Sequence, residues 1–173
     1  MESIRLVPAI FEISFDRITE RGGNFEREYE LLSEYDEDVL GQLLRMANVR
    51  GGISESDPIV LHLLAELYRK MDRLEHLLTN TAPHREPLAY KGDVEGIGFE
   101  YFKLSAPMLI AKEHYYCRLE LPVHPTRETP LFFEAVDETI GKILRIHPRD
   151  ENAWSGYMTA RERAMIRHLK GRE

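Results

Sequence analysis

Val60, Leu64, Leu67, Met71, Leu74 and Leu78 follow one another at steps of four, three, four, three and four along a stretch with no internal proline or glycine. Alternating steps of this kind keep apolar residues on one narrow stripe of a helix, the pattern of a heptad seam that packs against other helices. Taking Leu64, Met71 and Leu78 as a positions places Val60, Leu67 and Leu74 at d. His62, Arg69 and His76 then share f, the outermost line, where side chains are solvated. Lys70 falls at g and Glu75 at the following e, positions that meet across the interface of a parallel coiled coil. An exposed pair of this kind contributes about 0.2–1 kcal/mol, enough to bias orientation but not to drive assembly. Leu61, Leu63, Tyr68 and Leu77 widen the apolar face beyond what a two-stranded coil covers. The pattern predicts self-assembly, with a tetramer ahead of a dimer. The competing reading is an amphipathic helix lying on its own domain.

The flanking patterns complete the organisation. In residues 9–17, Phe11, Ile13 and Phe15 alternate with Glu12, Ser14 and Asp16, which predicts a half-buried strand. Gly22 and Gly23 break it, and Asn24 is placed to cap a helix. Residues 25–50 predict two helical pieces, interrupted at the acidic stretch Ser33 to Asp38 and ended by Gly51 and Gly52. The seam helix has Ser56 or Asp57 as its cap and Pro58 in its first turn, where a missing N–H costs nothing. It runs to about Thr79, and Asn80 to Pro87 reads as a linker.

Beyond the linker the period changes to two. Leu88 to Phe102, Tyr115 to Leu121, Leu131 to Val136 and Gly141 to Ile146 predict strands. Tyr115, Cys117, Leu119 and Leu121 share one face of theirs; Tyr116, Arg118 and Glu120 share the other. Short strands at this spacing predict an antiparallel barrel or sandwich. A last helix is expected from Thr159, whose hydroxyl and Glu162 form a capping box. The chain reads as α+β in three parts: an N-terminal strand and helices over 1–55, an oligomerisation helix over 56–80 and a barrel with a C-terminal helix over 81–173. Residues 1–50 have three roles open to them: completing the barrel, covering the coiled coil or forming a small separate unit.

Charge narrows the partners. Thirty Asp+Glu against 23 Lys+Arg give a net charge of -7, with no long basic run, so neither nucleic acid nor an anionic membrane surface is expected. The single cysteine, Cys117, allows no internal disulfide and reads as a buried structural thiol. Met1 to Pro8 lacks signal-peptide character, and no apolar run approaches the roughly 20 residues of a membrane span, so a cytoplasmic location is expected.

Candidate chemistry is sparse. Gly96-x-Gly98 continues a strand instead of opening a helix, so it fails as a dinucleotide fingerprint. His114 and Cys117 lack a second ligand pair and make no zinc site. The carboxylates Glu26, Glu28 and Glu30, like Glu34, Asp36, Glu37 and Asp38, read as solvated faces. Trp154 and Tyr157 are expected to pack on or cap the barrel. No cofactor, no metal and no enzymatic role are expected.

From Lys91 onward one ordered series stands out. Gly96-Ile97-Gly98-Phe99 follows a polar turn, then come the strands Arg118-Leu119-Glu120-Leu121-Pro122 and Gly141-Lys142-Ile143-Leu144-Arg145-Ile146, and finally the helix Met158-Thr159-Ala160-Arg161-Glu162-Arg163. In that order and spacing, about half the chain resembles the PilZ domain, a bacterial module known as a receptor for cyclic di-GMP. The resemblance implies a six-stranded Greek-key barrel with a closing helix. It also implies a role around cyclic di-GMP pathways such as motility, pili or virulence.

The family's ligand motif is an Arg-x-x-x-Arg on the lead-in to the barrel, followed by Asp/Asn-x-Ser-x-x-Gly. Here Arg85 is followed four residues on by Ala89. Aligning the glycine on Gly96 puts Lys91 at the acidic position and Asp93 at the serine; aligning it on Gly98 restores Asp93 but puts Glu95 at the serine. Either register leaves a carboxylate beside the expected phosphates. Each lost charge-assisted bond costs about 1.5–3 kcal/mol, and 1.4 kcal/mol is tenfold in affinity. Arg85, Asp93, Gly96 and Gly98 are therefore the candidate ligand residues of a degenerate motif, and the chain alone is not expected to bind cyclic di-GMP. The expected protein is a non-enzymatic signalling or adaptor module that assembles with itself and serves an unidentified protein partner. The alternative is a working receptor with arginines from elsewhere, such as Arg45, Arg50 or a neighbouring subunit.

Overall fold

A computed structural model describes residues 4–19, 22–35, 58–79, 84–123 and 128–170. The expectations for 36–57, including the second helical piece, Gly51, Gly52 and the caps Ser56 and Asp57, lie outside those residues. So do the linker positions 80–83.

The elements run β1 (Val7–Arg17), α1 (Gly22–Tyr35), α2 (Pro58–Thr79), β2 (Tyr90–Ile97), β3 (Tyr101–Leu104), β4 (His114–Glu120), β5 (Glu128–Ala135), β6 (Ile140–Ile146) and α3 (Pro148–Lys170). The six strands close an antiparallel barrel in the order β1-β2-β3-β6-β5-β4. The contacts divide the chain into two compact units, residues 1–29 with 86–173, and residues 30–85.

The N-terminal strand is a stave of the barrel. Val7, Ala9, Phe11, Ile13 and Phe15 point inward, as a period of two dictates. One edge of β1 pairs with β2, setting Phe11 against Val94, and the other pairs with β4, setting Ile13 against Leu119. Of the three roles open to residues 1–50, this segment completes the barrel. The reason lies in closure: without β1, the facing edges of β2 and β4 would leave their N–H and C=O groups unpaired.

Several boundaries differ from the sequence expectation: β1 begins at Val7 and β5 at Glu128, and α1 begins at Gly22, so Asn24 lies inside the helix and does not cap it. The stretch 88–102 is not one strand but two, folded at Gly98, whose N–H donates to the Tyr101 carbonyl at 2.7 Å. A Cβ on Gly98 would stand 2.7 Å from the Arg5 carbonyl oxygen, so the chain can pass there only at a glycine. The last helix starts at Pro148, well before Thr159, and the capping box is not formed: Thr159 sits inside the helix and its hydroxyl donates to the Ser155 carbonyl. The earlier turns are favoured because they bury Trp154, Tyr157 and Met158 in the barrel's core cluster. Trp154 also donates its Nε1–H to the Gly98 carbonyl at 2.9 Å, which gives it a packing role.

Pro130 lies within β5 at a place that tolerates it. It faces Arg118 of β4, while pairing with β6 begins only at Leu131, so one ladder is absent where the N–H is missing.

The core is aromatic. Phe102 meets Phe133 edge-on at 4.9 Å, and Tyr115 stacks on Phe133 at 5.1 Å. Gly141 lies beneath them; a Cβ there would be 2.5 Å from Phe102 and 2.8 Å from Phe133. Gly141→Ala is expected to destabilise the barrel by about 1–3 kcal/mol through overpacking, read as a lower urea midpoint.

Among the described residues, no helix is long and apolar enough to cross a membrane.

Candidate functional site

Two features stand apart from the barrel core: the apolar face of α2 and a buried polar cluster on the outside of the barrel.

Helix α2 runs unbroken over Pro58–Thr79, as the spacing predicts. Leu64, Leu67, Met71, Leu74 and Leu78 are all more than half exposed, Leu78 at 86%. Leu63, Tyr68 and Leu77, beside the seam, are exposed to the same degree. The side chains of Val60, Leu61, His62, Arg69 and His76 lie outside the described residues. Lys70 and Glu75 are exposed, and neither has an ion-pair partner among the described residues. A folded chain seldom leaves eight large apolar side chains on one helix in water; contiguous patches of this kind mark interaction surfaces.

The second feature is built on β4. Its inner residues Tyr115, Cys117 and Leu119 join the barrel core, as expected. On the outer face, Tyr116 is fully buried as well. Phe25 of α1 stacks on Tyr116 at 5.0 Å, and Tyr29, one turn later, packs on Phe132 of β5 at 5.3 Å. Ile18 and Leu88 close the edges of this second cluster. Arg145 of β6 lies over the Tyr29 ring at 4.4 Å and pairs with Glu26 at 2.6 Å.

Glu28 lies on the same face of α1 as Phe25, and it is 3% exposed, not solvated as its acidic neighbours suggested. Its Oε1 accepts from the Tyr116 hydroxyl at 2.8 Å and from Arg118 Nη1 at 2.5 Å. Its Oε2 accepts from the Glu86 backbone N–H at 2.5 Å. Arg118 Nη1 also donates to the Glu86 carbonyl at 2.9 Å, and Arg118 Nε lies 3.3 Å from Glu128. A buried carboxylate is tolerable only when paired and hydrogen-bonded, and this one is both. Burial, and then the Glu28 charge, push the Tyr116 phenol above its ordinary value, so it stays a proton donor to the carboxylate. The cluster clasps α1 and the lead-in to β2 onto the barrel.

No family model, curated protein or solved structure matches this chain, so the site is read from its own geometry.

Of the positions of the degenerate ligand motif, Asp93 and Gly96 lie on β2, Gly98 directly follows it and Arg85 precedes it. Asp93 is exposed on β2, facing Glu12 of β1 across the sheet, and its carbonyl accepts from Ser105 N–H. Gly96 and Gly98 are buried, and both are packed against the chain entering β1: a Cβ on Gly96 would stand 3.5 Å from the Val7 carbonyl oxygen. Arg85 is exposed and precedes the residue that Glu28 and Arg118 hold. Glu95, the residue that stands for serine in one register, pairs with Lys103 at 2.6 Å.

Sequence reasoning missed Glu28. The available signal was the spacing of Phe25, Tyr29 and Leu32, whose buried stripe has Glu28 on its flank. Among the described residues, no group of three or more His, Cys, Asp or Glu is placed to hold a metal. Cys117 is fully buried, and burial pushes its thiol above the ordinary range, which disfavours the thiolate. A thiol-alkylating reagent at neutral pH is therefore expected to leave the native protein unmodified and to label one site per chain after unfolding in urea. Rapid native labelling would contradict the burial.

Proposed function

We propose that this chain is a non-enzymatic signalling or adaptor protein: a PilZ-like barrel clustered by a parallel coiled-coil bundle of α2, which does not bind cyclic di-GMP by itself. The observation that carries the reading is the exposed seam Leu64, Leu67, Met71, Leu74 and Leu78. The occupant of that seam is a second copy of the same helix. Lys70 and Glu75 support this choice, since g and e charges of opposite sign pair between parallel copies. The exposed Leu63, Tyr68 and Leu77 support more than two helices, and so a tetramer ahead of a dimer.

The barrel supports the family reading in outline. The closed antiparallel barrel, in which β4, β1, β2 and β3 are successive neighbours, supports a Greek-key reading, as does α3, which buries Trp154 and Met158 in the core. Clustering several barrels gives a weak protein partner avidity without any new contact. The family resemblance places this work in the bacterial cytoplasm, around cyclic di-GMP pathways that govern motility or virulence.

Calorimetric titration with cyclic di-GMP, run beside light scattering, tests both halves of the reading. The expected outcome is no heat of binding and a mass several times that of one chain. Micromolar binding would instead favour the receptor alternative, and a monomeric mass would remove the assembly.

A further inference from the structure

The clasp on β4 has the composition of an anion site. Three donors of different kinds converge on one carboxylate: a backbone N–H from Glu86, the Tyr116 hydroxyl and the Arg118 guanidinium. Backbone amides combined with an arginine fork are what proteins use to hold phosphate and carboxylate groups. Two of these donors are fixed by the barrel, because Tyr116 and Arg118 lie in β4, whose pairing with β1 and β5 sets their positions. The anion, by contrast, arrives on α1, an element outside the sheet.

We propose that Arg118, Tyr116 and the Glu86 amide form an oxyanion-binding site on the outer face of the barrel, and that the chain's own Glu28 carboxylate is its resident ligand. The protein as folded carries this site plugged. A tethered carboxylate acts at an effective concentration of about millimolar or more, so a free oxyanion of ordinary affinity does not displace it. Displacement would also remove one tie between α1 and the barrel, because Glu28 belongs to α1 and its carboxylate accepts from Tyr116 and Arg118 of β4. The site therefore couples anion binding to a loosening of α1 on the barrel. The ligand class is a group with a carboxylate or phosphate oxyanion. This inference does not rest on self-assembly: either can fail without the other.

The test removes the plug and supplies small anions. Wild type, Glu28→Ala and the double variant Glu28→Ala/Arg118→Met are melted in sodium formate, sodium phosphate and, at matched ionic strength, sodium chloride. Formate and phosphate are expected to raise the midpoint of Glu28→Ala above its value in chloride by about 2–4 °C. They should do so neither for wild type, whose site is filled, nor for the double variant, whose site lacks its cation. A larger shift in formate assigns the site to carboxylates; a larger shift in phosphate assigns it to phosphates. Equal midpoints in all three salts for Glu28→Ala would overturn the proposal, as would an Arg118-dependent shift in wild type. If Glu28→Ala is unfolded at ambient temperature, the same salts are compared by the fraction refolded from urea. Recovery in formate or phosphate but not in chloride supports the site, and equal fractions, including none, overturn it.

Discussion

With α2 as the proposed assembly helix, replacing Leu67 and Leu74 together with glutamate is expected to turn a particle of about four times the chain mass into a monomer of 20.2 kDa. Both residues lie at d and both are more than half exposed in the single chain, so the barrel does not depend on them for its core. Burying a leucine side chain contributes about 1.5–3 kcal/mol, and a bundle collects that from each copy. A glutamate at d removes this term and places a carboxylate among apolar side chains, where an unpaired charge costs several kcal/mol. Repeated at two layers of a seam of about three heptads, the change leaves too little to hold the copies together. Light scattering on the purified variant reads the mass, and circular dichroism confirms that the strands persist. A mass unchanged from wild type would show that the copies, if associated, are held elsewhere. Exchanging the charges at Lys70 and Glu75 together should leave the mass nearly unchanged, because exposed pairs contribute about 0.2–1 kcal/mol.

The second large effect is expected at Arg118. Arg118→Met should lower stability by about 3–5 kcal/mol, the cost of breaking a buried pair and leaving one charge behind. The charge left behind is Glu28, whose side chain is 2% exposed. The loss is best measured by urea denaturation in the monomeric Leu67/Leu74 background, where assembly does not add to apparent stability. Removing Glu28 as well, as Glu28→Met/Arg118→Met, should cost less than the sum of the two single changes, because no charge is then stranded. Additive losses would mean that the two side chains do not act as a pair. Near-zero loss in Arg118→Met would mean that water reaches the cluster.

The seam and the staves were legible for the same reason: each is written in a local period. Phe11, Ile13 and Phe15 declare an inward face without reference to any other part of the chain, and so do Tyr115, Cys117 and Leu119. What a period does not declare is a partner. β1 reads as a strand, but nothing in residues 7–17 names β2 and β4 as its neighbours; the β1–β2 pairing joins residues separated by the whole of α1, α2 and the segments between. The start of α3 was misplaced because Thr159 and Glu162 fit a local capping rule, while the burial of Trp154 that favours the earlier start is tertiary.

Glu28 shows the limit most clearly. In sequence it is one of several alternate glutamates on a strongly acidic segment, and the ordinary place for such a residue is water. Its burial requires Tyr116 and Arg118 from β4 and the amide of Glu86, none of them near it along the chain. The sequence by itself determined the elements and their faces: a helix with apolar residues at heptad spacing and strands that alternate, on a chain of net charge -7. Only the tertiary structure decided which strands close the barrel, that Leu64, Leu67, Met71, Leu74 and Leu78 are more than half exposed, and that the Glu28 carboxylate is locked against β4. The physical reason is that periodicity fixes which way a side chain faces, whereas pairing and burial of charge depend on groups that meet only when distant segments fold together.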